Sequence, residues 1–422
     1  MPLGSACNLS CYFCSNRYNP PGIMVFNIPF LPSDLIKDLI YSLNPQEKII
    51  IGESATRLNE GEPLFHPQFL AIIKELRRAF PKTLIQITTN GILLSPKIQE
   101  ALSSLNPIEL VISFNSLKAS KRASLLGDPH PEETIQHFYY LVRSGIKFQA
   151  SFILALPFLE ELPESLKIVE DLGAYYVRLL LPGGSKWAPR DLQGSMEDWL
   201  KLKERMLLLR KRVGIPLVIE PPLISGLKTE VEGVIRGSPA EKCGLKAEDV
   251  ILKINGKEPD SRQEAFKIIN QAENPQLEVQ RGSQSLEFTI FKKMGEKSGL
   301  VFSNDLDVES LRGLSSVIPE KGRGVCLTSE LAFKVVSLAF QKHHPQVPVL
   351  PVPSLSLGGS IRTLGLLAVQ DFRVLLSALK GNGRSFDWVI VNPIFQEDGL
   401  DLRGENLQAL EKEFSLTLIY PS

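Results

Sequence analysis

Between residues 48 and 222 the chain alternates short runs of Val, Ile and Leu with amphipathic stretches, and this alternation restricts the fold more than any other feature. "KIIIG" (48–52), "TLIQITTNG" (83–91), "IELVISFNS" (108–116), "KFQASFILALP" (147–157), "YYVRLLLPGG" (175–184) and "IPLVIEPP" (215–222) read as strands. "HPQFLAIIKELRRAF" (66–80), "PEETIQHFYYLVRSG" and "MEDWLKLKERMLLLRKR" read as the helices between them. Strands apolar on both faces and separated by helices predict an α/β fold, a parallel sheet covered by helices. Ligands of such sheets bind at the carboxyl ends of the strands, where "TTNG", "SFNS" and "LPGG" fall.

Near residue 223 the pattern changes. "TEVEGVIRGSPAEKCGLKAEDVILKINGK" and the stretch after it carry short strands, turn pairs such as "NGK" and "RGS", and one short helix. They read as a small β-rich module, and from about residue 297 the α/β alternation resumes. The expected organisation is therefore residues 1–222, 223–296 and 297–422, two to three domains being usual for a chain of 422 residues. The 47 basic and 47 acidic residues balance, so nothing in the net charge favours nucleic acid or an anionic membrane as partner. No apolar run approaches the roughly 20 residues of a membrane span, and no secretory leader is legible.

Three of only five cysteines, Cys7, Cys11 and Cys14, lie within eight residues, with the aromatic Phe13 before the last. Clustered thiols point to a metal in a reducing cytoplasm rather than to a disulfide scaffold. Three thiolates on one loop can hold three irons of a 4Fe–4S cube, which leaves the fourth iron open for chemistry. Zinc is the rival metal; it needs a fourth ligand, and the first histidine in the chain is His66.

"ACNLSCYFC" resembles the signature of radical SAM enzymes, and the α/β region after it resembles their partial barrel of six βα units. The resemblance implies a 4Fe–4S cluster whose open iron chelates S-adenosylmethionine. One electron, from a donor such as flavodoxin or ferredoxin, then yields a 5′-deoxyadenosyl radical that abstracts hydrogen from a substrate. "EGEPLFHP" (60–67) is similar to the family's G-G-E-P stretch, with Glu60 in place of the first glycine and Gly61, Glu62 and Pro63 matching. Gly52–Glu53, at the strand end itself, is the rival for that role. With Phe13, the residues that the resemblance assigns to the cofactor are Glu60, Gly61, Glu62, Pro63, Thr89, Asn90, Ser113 and Asn115. Only six residues precede Cys7, so either the family's first strand is vestigial or the natural chain begins upstream.

"GSPAEKCGLKAEDVILKINGK" (237–257) resembles the core of a PDZ domain, with Cys243 and Glu248 where alanine and glycine are usual. PDZ domains add a C-terminal peptide to a sheet edge; "ISGLK" (224–228) is the candidate carboxylate loop. "SLSLGGSIRTLGLLAVQDF" (354–372) resembles the C-terminal domain of a group of bacterial radical SAM proteins that also carry a PDZ module. Two functions follow. One is an enzyme acting on a small molecule or on a peptide delivered by the PDZ module. The alternative is a non-catalytic iron–sulfur adaptor or redox sensor. In the enzyme reading Lys186 and Arg190, in the loop "PGGSKWAPRDLQG" (182–194), face the substrate, and the C-terminal domain, through Arg362 and Gln370, helps close the site. Cys243 and Cys326 are expected to be buried apolar residues.

Overall fold

The computed structural model describes residues 1–54, 57–391 and 399–421. The chain separates into two compact units, one of residues 1–18, 25–182 and 204–217, the other of residues 19–24, 183–203 and 218–422.

The first unit is built on a parallel sheet. Its strands are β1 (Ile49–Ile51), β2 (Ile85–Thr89), β3 (Ile108–Ser113), β4 (Lys147–Ile153) and β5 (Val177–Leu180), in that spatial order, with β6 (Leu217–Glu220) next. The chain leaves the first unit within β6. Helices fall between the strands as the sequence pattern predicts: α1 (Ser33–Ser42), α2 (Phe69–Ala79), α3 (Pro96–Ser103), α4 (Pro131–Ser144), α5 (Leu162–Asp171) and α6 (Met196–Arg210). Proline in the first turn starts α3, α4 and α5, where its missing N–H costs nothing, and Gly145 ends α4 in the left-handed conformation.

The two faces of this sheet differ, contrary to the expectation of apolar residues on both. One face carries Ile85, Ile87, Leu110, Ile112, Phe148, Phe152 and Leu179, all buried. There Phe114 packs on Phe138 of α4, on Phe148 and on Phe152. The other face carries polar residues in register: Gln86 opposite Glu109, Glu109 opposite Lys147, Ser113 opposite Ser151, and Ser151 opposite Arg178. Arg178 of β5 pairs with Glu53, just past β1, at 3.1 Å. Three strands lie between those two, so the sheet curls until its first and fifth strands face each other across a lumen lined with polar groups.

The second unit contains two further sheet systems. Strands β8 (Val250–Ile254), β9 (Gln276–Arg281) and β10 (Gln284–Thr289) form an antiparallel sheet, and β7 (Gly233–Val234) pairs with β11 (Leu300–Val301). Helix α7 (Arg262–Gln271) belongs to the same module, whose core holds Val231, Leu245, Ile251, Ile269, Leu277 and Leu300. Leu300 comes from beyond the expected boundary at residue 296, so the strand pairing carries the module past that point. Glu248 adopts φ +70°, the left-handed conformation that glycine takes more easily.

The last part is a four-stranded, all-parallel sheet in the order β13 (Val349–Val352), β12 (Gly324–Ser329), β14 (Trp388–Ile390), β15 (Thr417–Ile419). Helices α8 (Phe333–His343), α9 (Val369–Gly381) and α10 (Ala409–Phe414) accompany it. Cys326 lies in the core of this sheet, and burial pushes its thiol up to about 12, so it stays protonated. Cys243 packs at the edge of the β-rich core but is only partly buried, short of the burial expected of it. Among the described residues no helix is long and apolar enough to cross a membrane.

Candidate functional site

Residues 4–14 run across the carboxyl-end loops of the parallel sheet and are tied down by backbone bonds. The Gly61 amide donates to the Gly4 carbonyl at 2.9 Å, and the Glu62 amide donates to the Ala6 carbonyl at 3.0 Å. Gly61 lies so close over residues 5 and 6 that a β-carbon on it would overlap the Ala6 backbone. On the other side of the loop the Ser10 and Tyr12 amides donate to the carbonyls of Leu126 (3.0 Å) and Leu125 (2.9 Å). The cysteine loop is thus clamped between the "GEP" stretch and a single π-type turn, Arg122–Leu126.

Within the clamp, Cys7 is exposed and Cys11 and Cys14 are partly exposed. Burial raises the Cys11 thiol to about 12, with further contributions from Cys7 and Cys14, so the three sulfurs are within electrostatic range of one another. Burial likewise raises Cys7. Among the described residues no group of three His, Cys, Asp or Glu side chains closes around a single metal ion, and the three cysteines are no exception. The donor set, three thiols on one clamped loop, suits a 4Fe–4S cube, which takes each thiolate on a different iron.

Glu62 is the most constrained acid of the site. Its carboxylate accepts from Thr89 Oγ1 (2.7 Å), the Asn90 amide (2.7 Å) and the Leu64 amide (3.0 Å). Desolvation nevertheless raises its pKa to about 7, against the partial relief those donors give. Asn90 reaches the cysteine loop itself, its Nδ2 donating to Asn8 Oδ1 at 2.7 Å with Cys7 Sγ at 3.9 Å. Glu60 turns back to the sheet, its Oε2 accepting from the Gly52 amide at 2.6 Å, so the two rival stretches lie side by side. Pro63 opens a 3-10 turn through Phe65. Phe13 packs edge-on against Tyr12 and Phe158, with centroids 5.7 and 5.8 Å away.

At the end of β3, Ser113 meets the Ser151 hydroxyl at 3.4 Å. Asn115 takes φ +53° and its Oδ1 accepts from the Ile153 amide at 3.0 Å, which spends its carbonyl oxygen on the neighbouring strand. The structure thus brings Glu60, Gly61, Glu62, Pro63, Thr89 and Asn90 together around the root of the cysteine loop. Sequence reasoning missed the lumen network in which Glu53 Oε1 accepts from Arg178 (3.1 Å) and Gln86 (3.2 Å).

Lys186 and Arg190 belong to the second unit. The Lys186 amide donates to the Leu357 carbonyl, its Nζ donates to the Leu355 carbonyl at 2.8 Å, and that cation lies 4.6 Å from the Trp187 ring centre. Arg190 opens a 3-10 turn, Arg190–Leu192. Ser360 locks the loop to the glycine turn: its hydroxyl accepts from the Gly184 amide at 2.8 Å and donates to the Leu192 carbonyl at 3.0 Å. Gly359, at φ +63°, has no room for a side chain against Gly184 and Ser185. These bonds join loop 182–194 to the glycine turn; Arg362 takes no part in them, and Gln370 instead accepts from Arg373 at 2.7 Å.

In the β-rich module the strand alongside β7 is β11, which corrects the expectation for "ISGLK". Residues 224–228 lie instead at the start of α7, where Arg262 Nη1 donates to the Gly226 carbonyl at 2.8 Å. The segment that enters β11 is "SGLVF" (298–302), and Gly299, at φ +87°, packs against Ser238. A two-residue strand more than 60 positions after its partner leaves no periodicity to find.

Comparison with known proteins agrees with this geometry. The radical SAM superfamily pattern matches residues 1–171, and a PDZ domain pattern matches residues 230–281. An AdoMet-dependent heme synthase of Methanosarcina barkeri is 28% identical over 187 residues, 43% of this chain and 50% of that protein. A DegP-like periplasmic serine endoprotease of Chlamydia pneumoniae is 41% identical over 63 residues, 14% of this chain and 13% of that protein. Among solved structures, Streptococcus suis SuiB bound to its precursor peptide SuiA aligns with a TM-score of 0.42 at 15% identity, covering 52% of this chain and 47% of SuiB. The chain spans about half the length, or less, of the curated relatives it matches. Members of the radical SAM superfamily are enzymes that bind a 4Fe–4S cluster and S-adenosylmethionine. The two family patterns, on a clamped cysteine loop and a curled parallel sheet, establish that the chain carries a radical SAM domain over its first 171 residues and a PDZ domain farther along the same polypeptide.

Proposed function

We propose that the protein is a radical SAM enzyme that acts on a peptide or protein brought to it by its PDZ domain. Cys7, Cys11 and Cys14 would hold the 4Fe–4S cluster, which, when reduced by a flavodoxin or ferredoxin in the cytoplasm, would supply reductive cleavage of S-adenosylmethionine to a 5′-deoxyadenosyl radical. The observation that carries this reading is the clamp: Gly61 and Glu62 hold the backbone that enters Cys7, while Thr89 and Asn90 hold the Glu62 carboxylate beside it. Glu62 presents a buried carboxylate suited to the ammonium group of the methionine moiety. The polar lumen around Glu53 and Arg178 offers hydrogen bonds to a substrate. Ser113 remains a proposed cofactor contact, and Lys186 and Arg190 remain proposed substrate-loop residues.

Anaerobic reconstitution of the full chain is expected to load about four irons per chain, and dithionite with S-adenosylmethionine is expected to yield 5′-deoxyadenosine. Replacing Cys7, Cys11 and Cys14 together by alanine is expected to abolish both. A wild-type chain that holds the cluster but forms no 5′-deoxyadenosine would be an adaptor rather than an enzyme.

For the PDZ domain, β11 pairs among the described residues on one side only, with β7, and so presents an edge to an added strand. The peptide partner is expected to bind through its free carboxylate at "SGLVF". Fluorescence anisotropy with a labelled peptide library should therefore yield binders that lose at least tenfold in affinity, about 1.4 kcal/mol, when the same peptides are C-terminally amidated. Equal affinity for both forms would remove the carboxylate loop from the proposal.

A further inference from the structure

Among the described residues Arg122 is the largest fully buried side chain. Its Nε donates to Asp128 Oδ2 at 2.7 Å, also fully buried, and its Nη1 donates to the carbonyls of Phe114 (3.0 Å) and Ser116 (3.2 Å) at the end of β3. Its guanidinium carbon lies 5.1 Å from the centre of the Phe138 ring. Among the described residues its Nη2 has no hydrogen-bond partner. Folded proteins rarely leave such a group unpaired, because a buried donor without an acceptor forfeits its bonds to water.

The turn that carries Arg122 is the one that holds the cysteine loop. Arg122 is the first residue of the π-type turn whose Leu125 and Leu126 carbonyls hold the Ser10 and Tyr12 amides on either side of Cys11. Gly127, at φ +70°, closes the same turn against Ser10 with no room for a side chain. The guanidinium therefore stands on the same short turn that holds the cysteine loop, fully buried with its Asp128 partner in a poorly solvated interior.

We infer that Arg122 is a positioning residue that also sets the reduction potential of the cluster, with Asp128 fixing how much of its charge the cluster feels. The inference rests on the cluster assignment made under Proposed function. The potential of an iron–sulfur cluster depends on net charge, on hydrogen bonds to its sulfurs and on solvent exposure. Reduction adds one negative charge to a cluster that already carries three thiolates. A buried cation stabilises the reduced form more than the oxidised form, and so raises the potential. The Asp128 carboxylate offsets part of that cation, and low dielectric strengthens both effects. Because the same guanidinium grips the Phe114 and Ser116 carbonyls, it also fixes the distance from the cluster loop to the end of β3.

The test is an EPR-monitored redox titration of the anaerobically reconstituted full chain as wild type, Asp128→Asn, Arg122→Gln and the double variant. Asparagine keeps an oxygen for the His130 amide and Thr134 hydroxyl that Asp128 now accepts from. Asp128→Asn is expected to shift the midpoint to more positive potential and Arg122→Gln to more negative, with the double variant below Asp128→Asn and iron content unchanged. A residue with only a packing role would move both single variants in the same direction or neither. Should Arg122→Gln fail to fold, Asp128→Asn decides alone: an unmoved or more negative midpoint overturns the inference. A wild-type chain without a reducible cluster overturns the cluster assignment, and this inference with it; a wild-type cluster with an unresponsive Asp128→Asn variant overturns the inference only.

Discussion

Replacing Gly61 by alanine is expected to dislodge the cysteine loop and to lower both cluster content and 5′-deoxyadenosine formation at least tenfold, a loss of about 1.4 kcal/mol or more in loop positioning. The added β-carbon would overlap the Ala6 carbonyl and the Ser5 backbone, neither of which can rotate away as a flexible side chain could. Relief requires separating the two segments, and that breaks the bonds from Gly61 to Gly4 and from Glu62 to Ala6. Overpacking of this kind costs on the order of 3 kcal/mol. Gly381→Ala, at a position with no atom within 4 Å, is the matched control and should leave iron content and turnover unchanged. Wild-type iron loading in Gly61→Ala would show that the cluster loop does not depend on the clamp.

Glu62→Gln is expected to remove a pH dependence of stability and at the same time to weaken S-adenosylmethionine binding. In the folded protein desolvation raises the Glu62 carboxyl to about 7 from an ordinary 4.5. At low pH both folded and unfolded chains keep the proton, and Glu62 contributes nothing. As pH rises through 4.5 the unfolded chain ionises first, so each further unit favours unfolding by about 1.4 kcal/mol. Above about 7 the folded form ionises too, and the accumulated loss levels off near 3 kcal/mol. The wild type without ligand should therefore lose thermal stability relative to Glu62→Gln between pH 5 and 7, read as the difference in their melting temperatures against pH. A bound ammonium reverses the preference by favouring the carboxylate, so ligand affinity should strengthen with rising pH in the wild type and not in the variant. Parallel melting curves across that window would remove Glu62 as the source of the pH dependence.

The alternation of apolar runs and helices was enough to read the parallel sheet, because both patterns are local. The cysteine spacing and "GEP" were legible for the same reason, as short motifs whose chemistry does not depend on distant residues. The polar lumen was not. Gln86, Thr88, Glu109, Gln149 and Arg178 are single polar residues inside strands, and they share a cavity wall only because the sheet curls. Arg122 sits in "LKASKRASLL", where no local motif marks it for burial; only the turn that buries it gives it a partner in Asp128. β11 escaped notice because its partner strand is remote and each is two residues long.

The Ser360 lock also has a consequence in time. Ser360 and Gly184 are 176 positions apart, so at the ribosome the loop emerges roughly 9 to 35 s before the residue that holds it, at about 5 to 20 residues per second. Through that interval the Gly184 amide and the Leu192 carbonyl are without their Ser360 partner. The substrate-side loop therefore takes its shape late, after the domain that follows it has been synthesised, and a nascent chain can fold its cysteine loop long before it can present Lys186 and Arg190 in their final places.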